Sequence, residues 1–352
     1  LAIEAGATTF LTDDENIIVY DQDGTAYSDE TTGVEEDAFE KAVGKVKRTG
    51  TNDQSFEAVY NSLYPDKKDD RFWKFMVSSY LEFDLGGDIS QLSSNEFYDD
   101  LEHQGVDVIL TNGYDNITNY LATGLDIRYN ERVSKVDYTS DSMVLVTSSS
   151  GTYEASAVVI TVPLGVLKSG NFQFSPELTK EKKDALDDLD MGTVNKFMLV
   201  WDTAFWDVDL QYIGYTSETK GAFNSFLNIK KYSNHKALMT FTFGEYSRTA
   251  EDLSDSEVTS LVMNNLKVIY GDNVPEPTDM IRTKWNSNEN SFGCYSYVQK
   301  GGESSAYNVL AKSIEDRIYF AGEHTSFDYR SSVHGAYASG INAANELVKR
   351  FK

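Results

Sequence analysis

A nearly unbroken apolar run, Ala157-Val158-Val159-Ile160-Thr161-Val162, stops at Pro163. A strand that is apolar on both faces is typical of the interior of an α/β sheet, where helices cover both sides. Proline ends such a strand because it has no N–H to donate to the ladder. The run therefore predicts a central strand in an α/β fold.

A second strand, Arg317 to Gly322, leads through the polar residues Glu323-His324-Thr325-Ser326 into a helix that Ser331 or Ser332 caps. Ligands of open α/β sheets bind beyond the carboxyl ends of strands, and the free amides of a helix N-terminus attract negative charge. The pattern predicts an anion-friendly crevice near Ser332 and Val333, in which Glu323 accepts hydrogen bonds from ligand hydroxyls. An ordinary turn with a capping carboxylate is the alternative.

The remaining pattern predicts a mixed α/β (α+β) chain without internal repeats. Strands are expected at the start, helices from Val34 to about Glu102, and strands again from Asp126 to Tyr129 and from Val133 onward. Val194 to Trp201 reads as a strand and Ser256 to Tyr270 as a helix. Without a low-complexity linker we expect interleaved domains, and we divide the chain into one formed by residues 1–112 and 171–285 and another formed by residues 113–170 and 286–352.

Charge and cysteine content narrow the classes of function. The chain has 31 Lys and Arg against 56 Asp and Glu, a net charge of −25, which argues against a nucleic-acid partner and favours a cationic one. Cys294 is the only cysteine, so an internal disulfide is excluded, and no metal site is predicted. No apolar run is long enough to span a bilayer, so we expect a soluble protein. The sequence does not decide between a cytoplasmic and a secreted location.

Two C-terminal blocks, Phe320-Ala321-Gly322-Glu323-His324-Thr325 and Val333 to Gly340, resemble the flavin-binding signature of the flavin-containing amine oxidases. That family includes polyamine oxidases, lysine-specific histone demethylases and monoamine oxidases. The resemblance implies FAD as cofactor and a two-domain fold. In that fold the FAD-binding domain, residues 113–170 and 286–352, is interleaved with a substrate domain of mixed sheet and helices, residues 1–112 and 171–285.

Further blocks agree with this resemblance: Thr161 to Lys168, Asn130 to Val133, Gly192 to Lys196, and Trp285 with Tyr295. Lys196 also shares a strand face with apolar residues, which would desolvate its ammonium unless it reaches solvent. The resemblance implies catalytic roles for Lys196, Trp285 and Tyr295. It implies FAD contacts from Val133, Thr161, Pro163, Trp285, Gly322, Glu323, Ser332 and Val333.

The same resemblance also implies which residues contact the substrate and whether the flavin is covalently attached. Tyr80 to Asp84 is similar to the segment that lines the substrate tunnel of the family, so Glu82, Asp84 and Tyr295 are expected to contact a polyamine. Gly293-Cys294-Tyr295 is similar to the monoamine oxidase segment that carries flavin covalently, although a lone cysteine is usually a small buried side chain. The alternatives are a histone-demethylase-like or other amine oxidase, and a non-catalytic binding protein of this fold.

The chain departs from the family pattern in one respect. A dinucleotide fold uses Gly-x-Gly-x-x-Gly between its first strand and helix, and this sequence contains no such motif. We therefore expect an incomplete FAD-binding domain, with the N-terminal dinucleotide-binding segment outside this sequence. FAD binding by these residues alone is expected to be weak or absent.

Overall fold

A computed structural model describes residues 1–101 and 104–351. The strands of this part of the chain are β1 (Thr9–Leu11), β2 (Ile17–Tyr20), β3 (Val108–Leu110), β4 (Val133–Asp137), β5 (Val144–Ser148), β6 (Thr152–Ala155), β7 (Val158–Ile160), β8 (Gln173–Ser175), β9 (Leu189–Met191), β10 (Val194–Val200), β11 (Tyr212–Tyr215), β12 (Ala222–Asn228), β13 (Ala237–Phe243), β14 (Asp279–Arg282), β15 (Ser296–Val298) and β16 (Ile318–Phe320). The helices are α1 (Asp29–Thr49), α2 (Phe56–Leu63), α3 (Arg71–Met76), α4 (Phe83–Leu85), α5 (Asp115–Ala122), α6 (Leu164–Lys168), α7 (Lys180–Asp188), α8 (Gly244–Ala250), α9 (Asp255–Tyr270), α10 (Ala306–Ala311) and α11 (Val333–Arg350). None of these described helices has the length and apolar character that crossing a membrane requires.

The largest sheet of the described chain has six strands in the order β14-β10-β13-β12-β11-β2. Residues of β10 alternate between its faces: Phe197 and Leu199 pack with the apolar side of α9, while Val194 lies with Phe241 and Phe243 on the other face. The predicted strand at Val194 and helix at Ser256 are confirmed as β10 and α9. β2 joins this sheet as a parallel neighbour of β11, so the start of the chain packs beside residues almost 200 positions later.

A helical layer covers the same region. Side chains of Ser28, Ser55 and Asp70 accept the first free amides of α1, α2 and α3, as expected of N-cap residues. After α3 the helix continues as a π-helix, Val77–Glu82, and then as α4. This continuous helical segment ends at Gly86, whose φ of 77° favours glycine. The helices predicted from residue 34 are confirmed as far as Leu85, but residues 86–101 form turns and irregular chain, so the prediction of helix up to about Glu102 is wrong there, and Glu102 lies outside the described residues. The π-helical turn was not predicted.

A smaller parallel pair carries the C-terminal crevice. β7 and β16 pair in register from Val158↔Ile318 to Ile160↔Phe320, and α11 follows β16. The prediction that the 157–162 run is a central, fully covered strand is wrong, because β7 pairs only with β16 among the described residues and Val159 is 38% exposed. The strand predicted from Asp126 to Tyr129 is also wrong, since these residues form irregular chain beside α5.

The fold class is confirmed as mixed α/β, while the four domain boundaries stay a prediction. A separate four-stranded sheet, β6-β5-β4-β8, stands beside the β7–β16 pair. The core under these elements includes Ile160, Leu164 and Phe320. Both parallel strands therefore end over a packed core, and of the polar residues that follow β16, His324 and Thr325 are themselves buried at 2% and 6% exposure.

Candidate active site

Lys196 lies in β10, on the face of the six-stranded sheet that α9 does not cover. Its backbone N–H donates to Thr283 Oγ1 at 2.9 Å, and its carbonyl accepts from the Thr283 N–H at 3.0 Å. The side chain opens onto solvent, yet the protein around it desolvates the ammonium and lowers its pKa. A lysine held rigidly at its backbone therefore presents a desolvated ammonium at the sheet face.

Trp285, Cys294 and Tyr295 are brought next to this lysine by one turn. The Gly293 N–H donates to the Trp285 carbonyl at 2.9 Å, and the Cys294 N–H donates to the Gly192 carbonyl at 2.9 Å, two residues before β10. Cys294 lies close enough to Lys196 to interact with it electrostatically. The structure thus brings together the segments that carry these four residues, which are up to 99 positions apart in the sequence.

Tyr295 is fixed from both ends. Its ring covers Gly86, where an added Cβ would come within 2.6 Å of the ring, so only glycine allows this approach. Its hydroxyl donates to the Phe83 carbonyl. Burial raises the pKa of Tyr295 well above its ordinary value, and the phenol stays neutral at physiological pH.

An aromatic wall continues from Tyr295 along the sheet face. The Phe83 ring meets Phe241 at 5.4 Å and Phe243 at 5.9 Å between centroids, both nearly edge to face. Phe83 itself is 42% exposed, so the wall has an open side. Phe83 belongs to the segment from Tyr80 to Asp84 that was expected to line the substrate tunnel, whereas Phe241 and Phe243 were not predicted as site residues, since aromatic residues on a strand usually indicate core.

Glu323 connects this segment to the C-terminal helix. Its Oε2 accepts from the Ser296 hydroxyl at 2.6 Å and from the Ser331 N–H at 3.0 Å. Desolvation raises the pKa of this carboxyl. Glu323 therefore already accepts two protein donors, and ligand hydroxyls must share its remaining oxygen.

The turn around Glu323 places the other C-terminal residues. Gly322 has a φ of 147°, and an added Cβ would meet the His324 ring at 2.6 Å, so glycine is required there. Ser332 caps α11 by accepting from the Gly335 N–H, and Val333 is 61% exposed at the first helical position. The predicted N-cap is confirmed in its structural role, while its contact with FAD stays a prediction.

A cleft of about 450 Å³ opens beside the helix start. Asp84 lies at this cleft with Tyr98, to whose hydroxyl it is hydrogen-bonded, and Ser296, Arg330 and Ser332 are also in its lining. Asp84 is exposed at the end of α4, one residue after the aromatic wall begins. The cleft thus joins the wall to the start of α11.

A second cleft, of about 700 Å³, lies over the end of β7. Val133 and Pro163 line it, as does Phe292, two residues before Cys294. The exposed Thr161 stands between Ile160 and this cleft. The segment from Phe292 to Ser296 therefore borders both clefts.

The residues in these clefts fit the two ends of an FAD molecule. Val133, Pro163 and Phe292 give the larger cleft an apolar floor suited to a planar base, and the smaller cleft adjoins Ser331, Ser332 and the helix N-terminus. The described residues include no glycine-rich turn between a strand and a helix to hold the pyrophosphate. Donors for that part of the cofactor are not supplied by this part of the chain.

Glu82 is placed differently from the other predicted site residues. It is completely buried at the end of the π-helix, and its Oε1 pairs with Lys220 and accepts the Ile89 N–H at 3.0 Å. Lys220 also pairs with Asp88 at 3.0 Å. Desolvation raises the pKa of Glu82 to about 7, and its substrate contact stays a prediction that now competes with a protein partner.

Comparison with known proteins shows the family. The sequence profile described as flavin containing amine oxidoreductase matches residues 44–348. Polyamine oxidase 4 of Oryza sativa subsp. japonica is 34% identical over 367 residues, covering 98% of this chain and 74% of the rice protein. Lysine-specific histone demethylase 2 of Homo sapiens is 32% identical over 282 residues, covering 77% of this chain and 34% of the human protein.

A solved structure agrees at the level of fold. Wild-type putrescine oxidase bound to putrescine superposes with a TM-score of 0.76 at 18% identity, over 99% of this chain and 84% of that one. The profile match spans most of the sequence and includes both the Lys196 strand and the C-terminal signature. This chain belongs to the flavin-containing amine oxidoreductase family, whose cofactor is FAD.

Proposed function

We propose that this chain carries the catalytic residues of an FAD-dependent oxidase that acts on a carbon–nitrogen bond of a polyamine-like cation. The observation that carries the proposal is that the segments bearing Lys196, Trp285 and Tyr295 are hydrogen-bonded to one another at one end of an aromatic wall, beside the crevice that precedes α11. Relatives named as polyamine oxidases support the same substrate class.

The wall and the cleft suit a flexible cation. Aromatic faces attract an ammonium group, and methylene chains pack on the exposed Phe83, whose ring Phe241 supports from behind. Asp84 at the mouth of the cleft supplies negative charge for a distal ammonium, although it must exchange its hydrogen bond with Tyr98. The acidic surface, with a net charge of −25, concentrates cations near this mouth.

The proposed reaction converts an amine, dioxygen and water into an aldehyde, a shortened amine and hydrogen peroxide. FAD, when bound, accepts the hydride from the carbon next to nitrogen and passes two electrons to dioxygen. Trp285 and the neutral Tyr295 hold the substrate nitrogen between them and exclude water. Lys196 supplies a positive charge, and its lowered pKa lets it exchange a proton during reoxidation.

The test uses the purified chain with added FAD under anaerobic conditions. Putrescine, spermidine and spermine serve as probes, and 1,4-butanediol is the uncharged control of matched length. We expect the polyamines, and not the diol, to bleach the oxidised flavin absorbance, and air to restore it with formation of peroxide.

Failure must be separated from loss of cofactor. Flavin retained with the protein on gel filtration shows that FAD is bound, and bound FAD that no amine reduces would contradict the proposal. Where FAD is not retained, the same assay on a longer chain that binds it decides the question.

A further inference from the structure

Behind the strand that carries Lys196, two polar side chains are buried with no access to solvent or substrate. Asn195 is 0% exposed and Glu251, which follows α8, is 4% exposed. Asn195 points to the face of β10 opposite Lys196, because successive side chains of a strand alternate. Neither residue belongs to the predicted site.

Glu251 is an uncommon buried carboxylate, because it forms no ion pair within the described residues. Its Oε1 accepts from Asn195 Nδ2 and from the Asn286 N–H, both at 2.8 Å, and its Oε2 accepts from the Ser287 N–H at 2.9 Å. These hydrogen bonds outweigh the desolvation of the carboxyl and lower its pKa. A charged acceptor is thus held against the backbone of residues 286 and 287.

Asn195 extends the same contacts to the catalytic tryptophan. Its Oδ1 accepts from the Trp285 N–H at 3.0 Å and from the Thr283 hydroxyl at 2.9 Å. Thr283 Oγ1 in turn accepts the Lys196 N–H. Lys284 adds a further link, since its Nζ donates to the Glu251 carbonyl at 2.6 Å.

We propose that Glu251 and Asn195 are positioning residues that fix the turn bearing Trp285 at a set distance from Lys196. Every residue from Thr283 to Ser287 is bonded to Lys196, Asn195 or Glu251, through the backbone or the side chain. Trp285 itself is 36% exposed, so part of its surface is not held by packing. The inference rests on the proposed function for the role of Trp285, but the anchoring does not.

The substitution Glu251→Gln tests this anchoring without changing side-chain volume. Both carboxylate oxygens accept hydrogen bonds, whereas an amide has one acceptor and one donor nitrogen. Either the Ser287 N–H or the pair of Asn195 and Asn286 donors must then face an N–H group. Glu257→Gln is the matched control, because it removes the same charge from an exposed capping box at the start of α9.

The readout is the fluorescence of Trp285, obtained by subtracting the spectrum of each Trp285→Phe partner. We expect the Trp285 emission of Glu251→Gln to move to longer wavelength and to become more accessible to acrylamide, with Glu257→Gln unchanged. A Trp285 difference spectrum identical to that of the native chain would overturn the proposal.

Turnover gives an independent arm once amine oxidation has been observed. A displaced tryptophan should lower kcat by up to about 100-fold with a much smaller change in KM, because geometry rather than binding is lost. Native kcat in folded Glu251→Gln would also overturn the proposal. If no amine is oxidised at all, the proposed function fails while the fluorescence arm still decides the anchoring.

A second variant keeps the test valid if Glu251→Gln does not fold. Thr283→Val keeps the shape of the side chain and removes only its hydrogen bonds to Asn195 and Lys196. We expect the same direction of change in Trp285 fluorescence, smaller than for Glu251→Gln. No change in this folded variant would count against the proposal in the same way.

Discussion

We name two halves of the proposed site by their proposed roles: the six-stranded sheet is the amine-facing half, and the β7–β16 unit with α11 is the cofactor-facing half. They differ in how far their own residues cover them. In the interior of the six-stranded sheet, Phe197 is 0% and Phe243 1% exposed, and the buried Asn195 is hydrogen-bonded to Thr283 and Glu251. In the β7–β16 unit, Val159 is 38% exposed, and α11 exposes Val333 at 61% and Ile341 at 46%. The apolar interior of the first half is covered by its own residues, whereas the second half exposes apolar side chains and would gain more stability from a bound ligand.

The largest effect is expected from removing Lys220, the cation that pairs with the buried Glu82 and with Asp88 in the amine-facing half. In Lys220→Met, the carboxylates of Glu82 and Asp88 remain together without their positively charged partner. We expect the free energy of unfolding to fall by about 3–5 kcal/mol, the cost of breaking a buried pair. Urea unfolding followed by circular dichroism measures it.

Lys183→Met is the control for that variant, since Lys183 pairs with Glu177 at the surface of the α7 region. Exposed pairs contribute roughly 0–1 kcal/mol. Equal losses in the two variants would show that the amine-facing half does not depend on its buried pairs.

Lys196→Met separates chemistry from architecture within the same half. The ammonium is desolvated but not ion-paired among the described residues, so its loss should leave unfolding nearly unchanged. We expect turnover to fall by about 100-fold or more, the range for losing a positioned proton-transfer group. Stopped-flow reduction and reoxidation of the FAD-loaded protein would locate the slow step, and native rates of both steps would contradict the assignment.

The two halves also show which features can be predicted from the sequence and which cannot. Local periodicity predicts β10, α9 and α11, and motif spacing selects Lys196, Trp285 and Tyr295, which the fold does bring together. It could not predict that Glu82 pairs with Lys220, 138 positions away, or that Glu251 anchors the Trp285 turn. Such partners depend on tertiary contacts, and a lone acidic residue on a helix gives no signal that distinguishes a buried carboxylate from a solvated one.

The polar residues after β16 correctly predicted a crevice near the start of α11, but the predicted coverage of β7 was wrong. Continuous apolar character at Val158 and Val159 indicates which surfaces can be buried, not whether neighbours are present. The wrong prediction about Val159 therefore concerns the cofactor-facing half, whose own residues do not cover all of its apolar surface.

A smaller effect is expected when Glu82 is replaced by Gln. Its raised pKa, about 7 against an ordinary 4.5, means that the folded protein binds a proton there more tightly than the unfolded chain. That contribution to stability is complete below about pH 4.5 and is lost as pH rises through about 7. The Gln variant has no such loss, so its stability relative to the native chain should rise by about 2 kcal/mol between about pH 5 and about pH 8.

Urea unfolding at the two pH values measures this difference. Lys220 and Asp88 are the charged groups that face Glu82, and both are unchanged in the variant. Glu257→Gln is the control, because its pKa is lowered and its pH dependence falls in the acid range. Parallel stability profiles for native chain and Glu82→Gln would show that Glu82 is ionised throughout.

Cys294 stands where the two halves meet, and the smallest effect is expected there. Its N–H binds the Gly192 carbonyl, and burial raises the pKa of its thiol to about 12. The thiolate is the nucleophile, so a thiol that stays protonated at pH 8 is a poor candidate for a bond to the flavin ring. We expect Cys294→Ala to cost about 1 kcal/mol of stability and to leave FAD binding intact. Mass spectrometry of the denatured, FAD-loaded native chain should find the flavin released and the Cys294 peptide unmodified, whereas a peptide heavier by the mass of FAD would show that the cofactor-facing half is completed by a covalent bond.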